Sequence, residues 1–212
     1  MSQAPTTPAP EMRRSFLVRN RTRVGLALFL ALLPALFFVQ HPWPEETYVD
    51  FVLDSAGYML AIAGVLGRLW CTLYIGGNKH ETLQRTGPYS VVRHPLYVSN
   101  LLLGLALAAL SENPIVLFVV VAYFWIQYRS TIRHEEAALE ATFGESYREY
   151  ARTVPCFIPK LSHFHSTPPA SVNLSPLYAE AARCLAFLAV VPLFELIALL
   201  HESGVVPFIS FP

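Results

Sequence analysis

Every lysine and arginine of this sequence, fifteen in all, falls in one half of an alternation between long apolar runs, and that asymmetry leaves few folds open. The runs are 24–39 (VGLALFLALLPALFFV), about 51–75, 96–128 interrupted by SENP, and about 181–200. A helix crossing a bilayer needs about 20 mostly apolar residues, so these runs predict membrane spans. The third is long enough for two. Ser111 and Asn113 are helix-start signals and Pro114 suits a first helical turn, so 96–110 and 115–128 read as a tight hairpin. That makes five spans, with the short hairpin helices tilted, crossing a locally thin membrane, or extended into their flanks.

Arg13, Arg14, Arg19, Arg21 and Arg23 precede the first run; Arg68, Lys79, Arg85 and Arg93 surround the loop before the third. Arg129, Arg133, Arg148, Arg152, Lys160 and Arg183 lie between the fourth and fifth spans. The intervening segments HPWPEETYVD, SEN and HESGVVPFISFP carry none. Because basic loops stay in the cytoplasm, the N-terminus is expected inside and the C-terminus outside, as for a bacterial inner-membrane protein. A composition of 54% hydrophobic and 14% charged residues agrees with an integral membrane chain. Fifteen bases balance fifteen acids, so no global field points to nucleic acid. The three cysteines, Cys71, Cys156 and Cys184, have no CxxC spacing, and each reads as a small apolar filler. The polar, Pro-rich segment 1–20 reads as a disordered leader, followed by a single membrane domain.

Between the fourth and fifth spans, Glu136, Leu139, Phe143, Tyr147 and Tyr150 recur at three- and four-residue spacing, predicting an amphipathic helix on the cytoplasmic face, ended at Val154-Pro155. The loop 76–95 lies on the same side. Residues 161–180 read as a linker and 181–200 as the final span. Gly57 and Gly64, seven apart, suit close helix packing.

The densest polar chemistry is GPYSVVRHPLYVSN at 87–100. Pro95 starts a helix and leaves the N–H groups of its first turn facing the cytoplasm, a place for an anionic group. Arg93 alone fits a basic flank, but that reading leaves His94 between Tyr89 and Tyr97 unexplained. Glu135 and Glu136 are either a solvated face or the partners of a cationic, nucleoside-type cofactor, since carboxylates only accept hydrogen bonds. Arg152 is either a basic flank or a clamp for a carboxylate or phosphate. Asp54 and Glu195 sit in apolar spans and read as structural; His163 and His165 read as solvated. His94, His134, Glu135 and Glu136 contain metal-ligating types, but there is no HExxH and no histidine pair at helical spacing, so no metal site is expected.

RHPLY at a helix start, followed after a hairpin by EEAALEATFGESYREYARTVPCFIP, resembles the isoprenylcysteine carboxyl methyltransferase family over about 50–160. The resemblance implies an all-α membrane bundle that binds S-adenosylmethionine at its cytoplasmic mouth and takes a lipid-like acceptor from the bilayer. It implies cofactor binding by His94, Tyr97, Glu135 and Glu136, with Tyr89 and the Tyr147/Pro155 region closing over it. It also places Arg152 where the eukaryotic enzymes orient the substrate carboxylate. Where those members usually read FGEEY, this chain has FGESY, so Ser146 replaces a glutamate; Ser99 stands where glycine is common. The final span lies outside the resemblance. Sterol reductases of the same superfamily set NADPH against similar blocks, but this chain lacks their Trp.

Methyl transfer from a sulfonium is an in-line displacement that needs a positioned acceptor and a dry site. A carboxylate acceptor is already ionised near neutral pH and needs no base, so Arg152 and Arg93 as clamps favour O-methylation; an amine or phenol acceptor needs one, for which His94 and Glu149 are the candidates. An NADPH-dependent lipid reductase, a phospholipid N-methyltransferase and a non-catalytic membrane scaffold are the alternatives.

Overall fold

The element that sets the architecture is a helix too long for the membrane it enters. The computed structural model describes residues 47–75, 82–167 and 173–203, with the isolated positions Ala27 and Ala31. The leader at 1–20 and, those two positions apart, the first apolar run at 24–39 lie outside the described residues. The described elements are α1 (Tyr48–Ile75), the single turn α2 (Pro88–Val91), α3 (Pro95–Leu110), α4 (Pro114–Phe143), α5 (Glu145–Thr153), a 3-10 turn (Leu161–His163), α6 (Leu174–Leu188) and α7 (Val191–Glu202). Helices α1 and α4, and the stretch Leu174–Leu193, are long and apolar enough to cross a membrane; α3 is shorter. The chain is an all-α membrane helical bundle.

At 1.5 Å per residue, the 30 residues of α4 extend for about 45 Å, against a hydrocarbon core of about 30 Å. The surplus, about ten residues, projects from one end of the bundle and carries Glu135 and Glu136. What was expected as a separate amphipathic helix is therefore divided. Its first half continues the span, and its second half, α5, begins after Gly144, whose φ of 56° and ψ of −127° suit only glycine. Tyr147, Tyr150 and Val154 then fold back and pack against Leu83, Leu139, Phe143 and Ala151.

The α3–α4 hairpin forms as expected. Asn113 caps α4 by accepting from the Ile115 N–H at 2.9 Å, and Pro114 occupies the first turn, where no intrahelical donor is lost. Helix α3 packs along α1, and the glycines of α1 admit it. A Cβ on Gly64 would stand 2.6 Å from Leu103 Cδ2 and 3.1 Å from the Ser99 carbonyl oxygen, and one on Gly57 would stand 2.7 Å from Leu110 Cγ. Gly64→Val is expected to cost about 1–3 kcal/mol by overpacking. A thermal midpoint in detergent equal to the wild type would refute this.

A strap closes the polar end. Arg93 N–H donates to the Pro155 carbonyl, Lys160 N–H to that of Val91 and Gly87 N–H to that of His165, each at 2.9 Å. His165 N–H donates to Ser90 Oγ at 3.1 Å, so its backbone is tied down while its side chain stays exposed, as expected of a solvated histidine. Gly87 is required at this crossing, because its φ is 63° and a Cβ would lie 2.4 Å from the Tyr74 ring.

The C-terminal part departs from expectation. The final helix starts at Leu174, within the expected linker, with Asn173 accepting from the Ser175 N–H at 3.1 Å. It is not continuous over 181–200 either, since α6 ends at Leu188 and α7 begins at Val191. Pro192, which has no N–H to donate to the preceding turn, accounts for the break.

Candidate active site

The N-terminus of α3 and the projecting end of α4 bring the polar residues together. Pro95 begins α3 and leaves His94 as its N-cap residue, almost buried at 5% exposure. His94 Nε2 lies 3.2 Å from Glu136 Oε1, its Nδ1 lies 4.0 Å from Glu135 Oε2, and its ring stacks on Tyr97 at 5.5 Å. One turn along α3, the Tyr97 hydroxyl donates to Glu135 Oε2 at 2.5 Å. Arg93 NH1 meets Glu136 Oε1 at 3.0 Å. Consecutive carboxylates on α4 are thus each held by an α3-side partner, and Tyr97 is braced by Tyr128 edge-on at 4.8 Å.

Behind this pair lies a pocket lined by Tyr74, Leu83, Tyr89, Arg93, His94, Glu135, Leu139, Phe143 and Tyr150. The Tyr89 hydroxyl is buried with no hydrogen-bond partner among the described residues, while its carbonyl accepts from the Tyr150 hydroxyl at 2.7 Å. In front lies an open cleft of about 540 Å³ lined by Arg93, Arg133, Glu136, Glu140, Tyr147, Arg148 and Arg152. Arg93 and its partner Glu136 stand at the boundary, with Arg93 lining both spaces.

Burial sets the state of the phenols. Tyr147 is pushed up to about 12 by desolvation, then by the Glu136 charge, and burial raises Tyr89 well above the usual phenol value. Both remain neutral near neutral pH, whereas the Glu136 carboxyl is held below the usual carboxylate range, chiefly by its hydrogen bond with His94. Cys156 is raised by burial and by Glu136.

His94, Tyr97, Glu135, Glu136, Arg93, Tyr89 and Tyr147 therefore gather around one wall, whereas Arg152 stands at the rim. Its side chain is 73% exposed and pairs with Glu145 at 3.4 Å. Ser146 lends its carbonyl to Arg85 NH2 at 2.5 Å, which pins the start of α5. Cys156, expected as an apolar filler, instead points its Sγ at Glu136 Oε1, 3.7 Å away; nothing in its isolated position in VPCFIP signals this. Also unforeseen is a polar chain beneath the site. Arg68 joins Glu180 of α6 and Asn100 Oδ1, and Asn100 Nδ2 donates to the Tyr128 hydroxyl at 2.9 Å.

Residues 47–141 match the model of the isoprenylcysteine carboxyl methyltransferase family. The cobalt-zinc-cadmium resistance protein CzcN of Cupriavidus metallidurans is 37% identical over 206 residues, covering 96% of this chain and 94% of that protein. The nickel-cobalt-cadmium resistance protein NccN of Alcaligenes xylosoxydans xylosoxydans is 32% identical over 213 residues, 100% and 99% of the two chains. The protein-S-isoprenylcysteine O-methyltransferase of Rattus norvegicus is 29% identical over 127 residues, 55% of this chain and 44% of that enzyme. No solved structure matches the chain. The family match takes in Arg93, His94, Tyr97, Glu135 and Glu136 and ends before Tyr147, Arg152 and Cys156.

Proposed function

The chain belongs to the isoprenylcysteine carboxyl methyltransferase family, and from that premise we propose that this membrane methyltransferase uses S-adenosylmethionine to methylate the carboxylate of a lipid-like acceptor. The observation that carries the reading is the pairing of Glu135 and Glu136 with Tyr97 and His94 beside an aromatic pocket. A cofactor that joins a nucleoside to a sulfonium and an ammonium group needs carboxylates to accept its donors and aromatic walls for its ring. The pocket supplies both, and the Tyr89 hydroxyl, without a partner among the described residues, is a further group for a ligand to satisfy.

His94, Tyr97, Glu135 and Glu136 hold the cofactor, and Tyr89 and Tyr147 close over it. When bound, S-adenosylmethionine supplies an electrophilic methyl group beside a positive charge. The remaining work belongs to the protein. Arg93, at the boundary of pocket and cleft, and Arg152, at the rim, orient an anionic acceptor by hydrogen bonds that fit a planar carboxylate. A carboxylate needs no base, and the carboxylates among the described residues lining the cleft are already committed. Glu136 is engaged by Arg93 at 3.0 Å and Glu140 by Arg148 at 2.7 Å, while His94 lies in the pocket instead. The apolar tail of the acceptor stays among the lipid-facing helices. By the placement of its basic residues, the polar end faces the cytoplasm of a bacterial inner membrane. Both full-length relatives are named for resistance to cobalt and cadmium together with zinc or nickel, and we carry a role in metal tolerance over to this chain.

Calorimetric titration of the chain in nanodiscs with S-adenosylmethionine, its demethylated product and NADPH tests the donor. Binding of NADPH alone would favour a reductase, and binding of none a scaffold. With host lipid extract as acceptor pool, Arg152→Ala is expected to leave donor affinity nearly unchanged and to lower kcat/KM about 10- to 100-fold. That corresponds to a charge-assisted contact of about 1.5–3 kcal/mol, at the lower end because the side chain is exposed. Donor affinity lost together with turnover would move Arg152 into the cofactor site, and loss of neither would make it a basic flank.

A further inference from the structure

Glu136 lies 42 residues after His94 and 20 before Cys156, yet the strap that crosses the end of the bundle brings all three to one point. His94 Nε2, Glu136 Oε1 and Cys156 Sγ lie within 4.8 Å of one another, with Nε2 to Oε1 at 3.2 Å and Sγ to Oε1 at 3.7 Å. A tetrahedral centre with bonds of about 2.0–2.3 Å to nitrogen, oxygen and sulfur separates its ligands by roughly 3.3–3.7 Å. Two of the three edges already have about that length. The third, no longer than 4.8 Å, needs closure of at most about 1 Å.

The surroundings fit a ligand centre as well. The His94 ring is fixed by its stack on Tyr97, and on its far side Glu135 Oε2 stands 4.0 Å from Nδ1, itself held by the Tyr97 hydroxyl. A carboxylate behind an imidazole is the usual outer support of a metal-bound histidine. Arg93 NH1 contacts the same Glu136 oxygen at 3.0 Å and must give way to a cation. It has somewhere to turn, because its Nε and the Tyr147 hydroxyl beside it are both buried without a hydrogen-bond partner among the described residues. The open cleft in front of Glu136 leaves room for water or another small ligand in the fourth position.

We infer that His94, Glu136 and Cys156 bind a thiophilic divalent cation of the zinc, cobalt or cadmium type, and that the bound ion competes with the methyl donor. Thiolate with imidazole selects such ions over magnesium and calcium, which prefer all-oxygen shells. Binding breaks the Cys156 S–H bond and forms a sulfur–metal bond, the proton leaves to solvent, and no electrons are exchanged. Thiolate and carboxylate together neutralise the two positive charges. The ion site stands on its own geometry, whereas the competition rests on the proposed use of S-adenosylmethionine, because His94 and Glu136 then serve both ligands. Divalent metal thereby switches the transferase off at its cofactor site.

The test uses the full chain in nanodiscs, with Co²⁺ as a spectroscopic probe and Zn²⁺ and Mg²⁺ as comparisons. Wild type is expected to show a thiolate-to-cobalt charge-transfer band that Zn²⁺ removes and Mg²⁺ does not. Cys156→Ser is expected to abolish the band and weaken Zn²⁺ binding by at least roughly 100-fold, the upper end of what loss of even an outer partner costs. In Cys71→Ser and Cys184→Ser the band should persist. Saturating Zn²⁺ is expected to weaken S-adenosylmethionine binding in wild type and not in Cys156→Ser. A band that survives Cys156→Ser, or no band, would overturn the ion site. A Cys156-dependent band with donor affinity unchanged by Zn²⁺ would keep the ion and overturn the competition. If no donor binds at all, the transferase reading fails and the band still decides the ion.

Discussion

Glu136→Ala is expected to weaken S-adenosylmethionine binding by about 30- to 150-fold, since losing a hydrogen-bonded charged group costs about 2–3 kcal/mol and each 1.4 kcal/mol is tenfold. The reason lies in how many groups converge on one carboxylate. Arg93 NH1, His94 Nε2 and Cys156 Sγ surround the same Oε1 at 3.0, 3.2 and 3.7 Å. Alanine removes the group proposed to accept from the donor and also leaves Arg93, whose Nε already lacks a partner among the described residues, without its counter-charge. Glu136→Gln keeps the shape but not the charge, and should fall between alanine and wild type. Calorimetry on detergent-solubilised protein measures the affinity, and the thermal midpoint of each variant separates lost binding from lost folding. A donor affinity within about threefold of wild type in Glu136→Ala, with the fold retained, would remove this residue from the cofactor site.

Glu180→Ala is expected to cost about 3 kcal/mol of stability, the lower end of the penalty for deleting one partner of a buried ion pair. Glu180 is only 4% exposed and joins Arg68 across the α1–α6 interface, while Arg183 NH2 meets its other oxygen at 2.9 Å. Without it, Arg68 remains mostly buried in a helix that crosses the membrane. For a chain of about this size, the thermal midpoint should fall by roughly 6–12 °C. Arg68→Ala combined with Glu180→Ala should cost less than the sum of the two single changes, because the double variant leaves no stranded charge. Additive losses, or a fall below about 1 °C in Glu180→Ala, would show that the pair is not coupled. The chain Glu180–Arg68–Asn100–Tyr128 also ends against Tyr97, so the same variant tests whether α6 helps to hold the Glu135 partner in place.

Much of this protein was legible in one dimension. Hydropathy marks apolar runs whatever their neighbours, and the one-sided lysines and arginines separate polar ends from spans, so the all-α membrane bundle follows from local composition. Pro95, Asn113 and Pro114 act within a turn of themselves, and the helix starts they announce are where they were expected. Gly57 and Gly64 likewise told of a close helix contact through their spacing alone. RHPLY and the Glu-Glu pair carried the family resemblance, and with it the gathering of His94, Tyr97, Glu135 and Glu136.

Other features depend on distances that no local rule contains. That the span and the first half of the amphipathic segment are one helix follows from propensity continuing across a change of surroundings, which hydropathy reports as a boundary. The start of α6 inside the expected linker was hidden for the matching reason, because LSPLYAE is polar enough to read as loop until it packs against α1. Cys156 meets Glu136, and Arg68 meets Glu180, only because the reversal at Gly144, the strap over residues 87–93 and the docking of α6 fix the backbone. Local sequence thus determined which segments are helical, which are apolar and where chemistry is concentrated. Tertiary structure alone decided which charges are paired and which thiol faces a carboxylate, since these are matters of a few ångströms between residues far apart in the chain.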